Sequence, residues 1–256
     1  PDFVRAWFDQ MLPIFIVVCL GWLVVQVMNV NLYNLISNLF MPLQNVLNTW
    51  YGFMFINFFE CFIYSMGISG WTLTPVTQPV KMASIAANLA MVAAGTATVA
   101  NMNLYTEGTI YVTYMWVGGV ACTLPLVIML MRSKVKKLKA LGRVCIGSSI
   151  FNINEPVVFG CIAWNPLLML PMWLQGIVIS LLTWFFCKVI AFAPIPRIQF
   201  ELWYMPYPIG TWISTRSIKA ILFLILSVFV SALIWYPFFK VYEKQEYKNE
   251  QASIQE

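Results

Sequence analysis

The stretch MLPIFIVVCLGWLVVQVMNV, residues 11–30, is twenty residues long and contains no charged side chain. A helix of about 20 apolar residues can cross the roughly 30 Å hydrocarbon core of a bilayer. Pro13 lies in the first turn, where a missing backbone N–H costs little. The stretch therefore predicts a transmembrane helix.

The chain as a whole is also strongly apolar. Of its 256 residues, 61% are hydrophobic and only 10% are charged, whereas a soluble domain carries about 25% charged residues. The 19 Phe, 11 Trp and 11 Tyr exclude an intrinsically disordered chain. Although the net charge is +5, the basic residues lie among membrane segments, so we expect no nucleic-acid partner. The composition predicts an all-α integral membrane protein.

Further apolar runs predict additional spans, separated by segments of different character. Residues 31–50 alternate apolar and Asn-rich faces, which predicts an amphipathic helix at the interface or along the bundle. Residues 82–102 are rich in small side chains, which favours a packed internal helix or a re-entrant hairpin. The other predicted spans are 51–66, 109–131, 167–192 and 217–240, and the run 67–78 is predicted to be a loop.

Two segments, 144–166 and 193–216, are too polar or too rich in proline to span, yet they lie among spans. Irregular backbone at membrane depth is tolerated where protein or a water-filled cavity satisfies it. We therefore expect a polytopic helical bundle with two re-entrant or broken hairpin segments. The predicted organisation is a first helix with an amphipathic connection in residues 1–50, a substrate-binding transport domain in 51–240 and a charged, solvated tail in 241–256.

Six basic residues and no acid lie between Arg132 and Arg143. The positive-inside rule places this segment in the cytoplasm. Two predicted spans separate it from the tail, so the tail lies on the same side. A phospholipid or nucleotide site is the alternative interpretation of the basic cluster.

Glu155 is the strongest candidate for a functional residue. A carboxylate at membrane depth is energetically expensive and indicates function. Its neighbours Asn152 and Asn154 offer hydrogen-bond donors and acceptors to a polyhydroxylated ligand, and Trp203 in the second broken segment could stack on a sugar ring. The alternatives are that Glu155 caps a helix or pairs with an internal arginine.

Several other polar residues are weaker candidates. Glu60 is predicted to face a cavity, to pair with Lys81 or to lie near the interface. Ser69, Trp71 and Asn88 could line the same cavity or serve only in packing. The chain has no histidine, which excludes Cys/His zinc sites and a Ser-His-Asp triad; we expect no metal, no cofactor and no catalytic group.

The segment FNINEPVVFG, Phe151–Gly160, followed by Asn165-Pro166, resembles the signature of enzyme IIC sugar permeases. These belong to the bacterial phosphoenolpyruvate-dependent phosphotransferase system, in its lactose/cellobiose/diacetylchitobiose branch. Further segments follow in the family's order: GISG at 67–70, SKVKKLKALGR at 133–143, PYPIG at 206–210 and YPFFKVYEK at 236–244.

The resemblance implies roles for individual residues. Glu155 would bind the sugar near the hydroxyl that is phosphorylated, and Trp203 would pack against the sugar. In the GISG segment, Ser69 stands where the family usually has a histidine that contacts the sugar, and Gly70 follows it. Serine is shorter and cannot carry a positive charge.

The resemblance also implies partners and location. A bacterial plasma-membrane permease of this kind takes up a β-linked disaccharide by an elevator-like movement. It presents the sugar to a phosphorylated IIB protein, which is served by IIA. The family is homodimeric, through an N-terminal half that this chain does not resemble, so the chain looks like the C-terminal, substrate-binding half. The alternative is a truncated, non-transporting membrane protein that binds sugar or regulates uptake.

Overall fold

The computed structural model describes residues 2–28 and 32–255, and this part of the chain is helical without β-strands. The predicted all-α fold class is confirmed. The helices are α1 (Asp2–Met28), α2 (Leu32–Leu47), α3 (Trp50–Ser65), α4 (Thr74–Ala93), α5 (Leu124–Met131), α6 (Lys136–Ile150), α7 (Glu155–Val157), α8 (Pro166–Trp184), α9 (Tyr207–Thr215) and α10 (Ile218–Gln255). The chain divides into two compact units, Pro1–Pro42 and Leu43–Glu256.

The first unit contains α1 and the beginning of α2. Most large apolar side chains of α1 from Phe8 to Val27 are exposed, as expected for a helix whose neighbours are lipid or other membrane helices. The end of the predicted first span, residues 29–30, and residue 31 at the start of the predicted amphipathic helix lie outside the described residues.

The second unit is organised around α8, which packs against both α3 and α10. Gly176 allows the close approach to α3, because a Cβ at this position would lie 2.7 Å from the Cα of Phe58. On the side that faces α10, the amide of Gln175 donates a hydrogen bond to the carbonyl of Ser231 at 3.0 Å. These contacts make α8 the central helix of the unit.

Two helical segments in the described part of the chain are long and apolar enough to cross a membrane, Pro166–Val189 and Ile218–Ala252. They confirm the predicted spans 167–192 and 217–240. The bent pair formed by 38–47 and Trp50–Ser65 would add a third span, and Met11–Val27 is a shorter apolar helix.

The prediction of one continuous helix over 109–131 is wrong. A π-helical segment, Gly108–Tyr114, is followed by irregular backbone before α5 begins at Leu124. Gly118 and Gly119 have φ values of 84° and 102°, which glycine adopts without the steric cost that a side chain would bring. The glycine pair therefore interrupts the predicted helix completely.

The structure also contains more helix than predicted in the loop 67–78 and in the tail 241–256. Only the first part of the predicted loop 67–78 is irregular, because a 3₁₀ turn at Gly70–Leu73 leads into α4. Pro75 occupies the first turn of α4, where proline is tolerated. The charged tail 241–256 continues α10 as helix up to Gln255.

The two predicted broken segments are irregular in the structure. After α6 ends at Ile150, a short turn leads into α7 and a π-helical segment, Val158–Ile162. In the second segment no helix forms between residues 191 and 206, and α9 follows. Both segments contribute residues to the wall of one cavity.

Candidate functional site

A cavity of about 320 Å³ lies inside the second unit. Its walls come from α3, α4, the 3₁₀ turn, the π-helical segment Gly108–Tyr114, the glycine break that precedes α5, and both broken segments. Because the walls other than α3, α4 and the π-helical segment contain irregular backbone, polar main-chain groups lie close to the cavity. Such backbone is accommodated where it borders a cavity.

Asn152 joins three of these irregular segments. Its amide nitrogen donates to the carbonyl oxygens of Trp203 and Met205, both at 2.8 Å, and its amide oxygen accepts from the backbone N–H of Gly118 at 3.1 Å. Its φ of 61° is left-handed, a conformation that asparagine tolerates better than most residues. The side chain therefore holds the first broken segment against the second and against the glycine break.

Asn154 makes a second connection of the same kind. Its amide nitrogen donates to the carbonyl of Val120 at 2.8 Å, and its amide oxygen accepts from the hydroxyl of Tyr64 at 3.3 Å. Gly119 faces this side chain so closely that a Cβ there would lie 2.4 Å from Asn154 Cγ. Both asparagines line the cavity, as expected, but their amides already bond to protein groups.

Glu155 begins α7 directly after this asparagine and lines the cavity. The residue is exposed, and within the described part of the chain its carboxylate has neither a hydrogen bond nor an ion pair. An ionised carboxylate only accepts hydrogen bonds. Glu155 can therefore accept hydrogen bonds from a ligand that enters the cavity.

Two tryptophans form a corner of the cavity. The rings of Trp71 and Trp203 are 5.8 Å apart and inclined at 71°, and both residues line the cavity. Trp71 is 59% exposed, which leaves much of its indole available for contact. The sequence named Trp203 as a candidate from its position in the second broken segment and left Trp71 open between lining and packing; in the structure both line the cavity.

The remaining predicted residues lie in different places. Gly70 lines the cavity beside Glu60, whereas Ser69 is exposed outside the lining and accepts a hydrogen bond from the N–H of Trp71 at 3.4 Å. Asn88 is fully buried away from the cavity and pairs with the backbone of Asn103, at 2.8 Å and 2.6 Å. The structure thus brings Glu155, Asn154, Asn152, Trp203 and Gly70 together.

Glu60 lines the cavity, as one of the predictions for it had it, but the buried ion pair beside it was not predicted. Lys81 forms an ion pair with Glu107 at 2.6 Å, and the two side chains are only 6% and 11% exposed. Glu60 instead accepts a hydrogen bond from the hydroxyl of Tyr111, and the Lys81 ammonium lies 4.6 Å from the centre of that ring. Lys81 thus pairs with Glu107 and not, as one prediction had it, with Glu60.

A signal for this cluster is present in the sequence. Lys81 is the one basic residue between positions 6 and 131, and Glu107 is the one acidic residue between positions 61 and 154. The principle that identified Glu155, that isolated charges in apolar segments have a function or a partner, applies equally to this pair.

Comparison with known proteins places this architecture in a family. The family model described as "Phosphotransferase system, EIIC" matches residues 1–176. The chain is 29% identical over 261 aligned residues to the putative permease IIC component YwbA of Bacillus subtilis, and 28% identical over 259 to the lichenan permease IIC component of the same organism. Each alignment covers 98% of this chain, but only 58% and 56% of the relative.

The fold has a counterpart among solved structures. The crystal structure of the transporter ChbC, the IIC component of the N,N'-diacetylchitobiose-specific phosphotransferase system, matches with a TM-score of 0.77 and 25% sequence identity. The match covers 98% of this chain and 59% of ChbC. The chain thus spans a little over half the length of these relatives. Family model and fold agree, and the chain belongs to the EIIC family of phosphotransferase-system sugar permeases, which are integral proteins of the plasma membrane.

Proposed function

We propose that this chain binds a β-linked disaccharide, such as cellobiose, diacetylchitobiose or lactose, in the cavity beside Glu155. During uptake it presents the bound sugar to a phosphorylated IIB protein on the cytoplasmic side. The observation that carries this proposal is the carboxylate of Glu155, which borders the cavity without a partner among the described residues.

The chemistry of a sugar suits this carboxylate. Sugar hydroxyls donate hydrogen bonds, and hydrogen bonds to a charged acceptor are about twice as strong as those between neutral groups. Because Asn152 and Asn154 hold the segment that carries Glu155, the carboxylate is positioned before the sugar arrives. We propose that the main role of the two asparagines is to position Glu155, rather than to contact the sugar.

The apolar side of a sugar ring requires a different surface. Trp203 and Trp71 offer indole faces in two orientations, and aromatic side chains beside placed polar groups are typical of small-molecule sites. One ring of a disaccharide can pack on Trp203 while the second lies near Trp71. The preference for a disaccharide over a monosaccharide rests on the family resemblance, and this corner of two indoles can accommodate it.

The position of the cavity also supports the proposed domain organisation. Its lining runs from Glu60 to Trp203, entirely within the segment 51–240 that we propose to be the transport domain. The phosphoryl group would come from IIB, which IIA serves, so the chain needs no phosphoryl-carrying residue of its own. We propose a homodimeric permease, as the family resemblance implies.

The proposal is tested by direct binding of the three disaccharides to the purified protein in detergent. Replacing Glu155 by glutamine keeps the size of the side chain and removes its charge. Loss of a charge-assisted hydrogen bond costs about 1.5–3 kcal/mol, so we expect Kd to rise by about 10- to 150-fold. Glu246→Gln, on α10 and outside the cavity, is the matched control and should leave Kd unchanged.

Uptake of the same sugar by cells that depend on this gene provides the second measurement. We expect Glu155→Gln to abolish accumulation of the phosphorylated sugar and Glu246→Gln to permit it. Wild-type affinity in the Glu155 variant would refute the site. Binding without uptake in the wild-type protein would instead support the non-transporting alternative.

A further inference from the structure

A second concave surface lies between α5 and α10. It shares no lining residue with the cavity beside Glu155, which we call the sugar cavity. Its volume is about 410 Å³. We call it the α5–α10 groove. Its walls are apolar: Pro125, Ile128 and Met129 from α5, and Val228, Ala232 and Tyr236 from α10.

Charged residues occur at one end of this groove only. Arg132 follows directly after α5, and Lys240 and Glu243 lie on the corresponding part of α10. Lys240 forms an ion pair with Glu243 at 2.8 Å. Arg132 is exposed and has no ion pair within the described part of the chain. The three formal charges leave this end with an excess of one positive charge.

The location of this end is set by the sequence. Arg132 is the first residue of the basic segment that the positive-inside rule places at the cytoplasmic face. On α10 the apolar part of the groove lies within Ile218–Ala252, which is long and apolar enough to span a membrane, and on α5 it is formed by the turns that precede Arg132. The groove therefore runs from the hydrocarbon core towards the cytoplasmic headgroup region.

We propose that the α5–α10 groove binds one anionic phospholipid. An acyl chain lies along the apolar walls, and the phosphate contacts Arg132, with Lys240 as the secondary cation. A lipid satisfies both halves of the groove, because its apolar chain and its negative headgroup are joined at the spacing of the membrane interface. Basic pockets between membrane helices on the cytoplasmic side are suited to such headgroups. This site is independent of the sugar cavity.

The charge requirement is tested with the delipidated protein in mixed micelles that contain equal amounts of phosphatidylglycerol and phosphatidylcholine. The number and kind of lipids that stay bound are read by native mass spectrometry. We expect the wild-type protein to retain one phosphatidylglycerol preferentially, and Arg132→Gln to lower that preference about fivefold. Arg143→Gln is the matched control, because Arg143 is exposed in the same basic segment but lies outside the groove.

The shape requirement is tested by filling the groove without changing its charge. Ala232→Trp places an indole in the groove and should displace the retained lipid, whereas Leu233→Trp, on the exposed neighbouring face, should not. Thermal unfolding of each variant shows whether it is folded, and Arg132→Gln on the surface gives an independent result if Ala232→Trp does not fold.

Several results would overturn the proposal. Equal losses in Arg132→Gln and Arg143→Gln would mean that diffuse charge attracts the lipid. Retention of the lipid by folded Ala232→Trp would place it elsewhere. Competition by inorganic phosphate at concentrations similar to those of the lipid would indicate a phosphate site without a role for the apolar walls. A wild-type dimer that Ala232→Trp dissociates would indicate that a second copy covers the groove.

Discussion

Replacing Asn152 tests whether the cavity depends on one side chain that joins three irregular segments. Asn152 makes hydrogen bonds to Trp203, Met205 and Gly118, and its φ of 61° is unfavourable for most residues with a Cβ. Asn152→Gly removes the three hydrogen bonds while keeping that backbone conformation accessible. Asn152→Ala removes the same bonds and adds the steric cost of a Cβ.

The magnitudes follow from these contacts. Each hydrogen bond contributes about 1 kcal/mol net, so Asn152→Gly should lower the free energy of unfolding by about 3 kcal/mol. Alanine in the left-handed conformation costs about 1 kcal/mol more, which gives about 4 kcal/mol for Asn152→Ala. Both variants should also bind sugar more weakly, because the Trp203 segment is no longer held against Glu155.

The free energies are measured by denaturant unfolding of the purified protein in detergent, followed by tryptophan fluorescence. Sugar affinity is measured on the same samples at a temperature at which each variant is folded. The reasoning is refuted if both variants unfold within 1 kcal/mol of the wild type. It is also refuted if alanine is tolerated better than glycine, because the left-handed backbone would then carry no cost.

Two further predictions concern the packing of the second unit. Lys81→Met leaves the buried carboxylate of Glu107 without its partner and should lower the free energy of unfolding by about 3–5 kcal/mol. The double variant that also carries Glu107→Gln should recover most of this loss. If the double variant is as unstable as Lys81→Met alone, the two residues do not stabilise the fold as a pair. Gly176→Ala brings a Cβ to 2.7 Å from the Cα of Phe58 and should cost about 1–3 kcal/mol in the same unfolding assay. Gly147→Ala, in a helix and with no atom within 4 Å of the added Cβ, is the control and should be neutral or stabilising.

The parts of the fold that the sequence predicts well are those that a local pattern determines. The spans at Pro166–Val189 and within α10 are long apolar runs without a glycine pair, and such runs form helices in a membrane because only helices satisfy their own backbone. The run 109–131 is equally apolar, yet it breaks. Its backbone is satisfied in part by Asn152, which is distant in sequence, and a local pattern contains no information about that contact.

The same distinction holds for the candidate site. Glu155 could be identified because an isolated carboxylate in an apolar segment is costly wherever it lies. The asparagines look alike in the sequence, although Asn152 and Asn154 line the cavity and Asn88 holds the turn after α4. Trp71 was likewise an open candidate, because the sequence does not show whether a tryptophan lines a cavity or packs between helices. Which polar side chain faces a cavity depends on the packing of whole helices, and composition does not determine it.

The unbroken helix α10 has a mechanical consequence. Its 38 residues correspond to about 57 Å at 1.5 Å per residue, almost twice the thickness of the hydrocarbon core. Its charged C-terminal part contacts α6 through the Lys137–Glu246 ion pair at 3.5 Å, and it contacts the segment before α6 through a hydrogen bond from the backbone N–H of Lys134 to Glu243 at 3.2 Å. We expect a helix held by these two contacts to move together with the segments that border the cavity. A spectroscopic label near the C-terminal end of α10 is therefore the place from which to test whether the cavity and this helix move as one body.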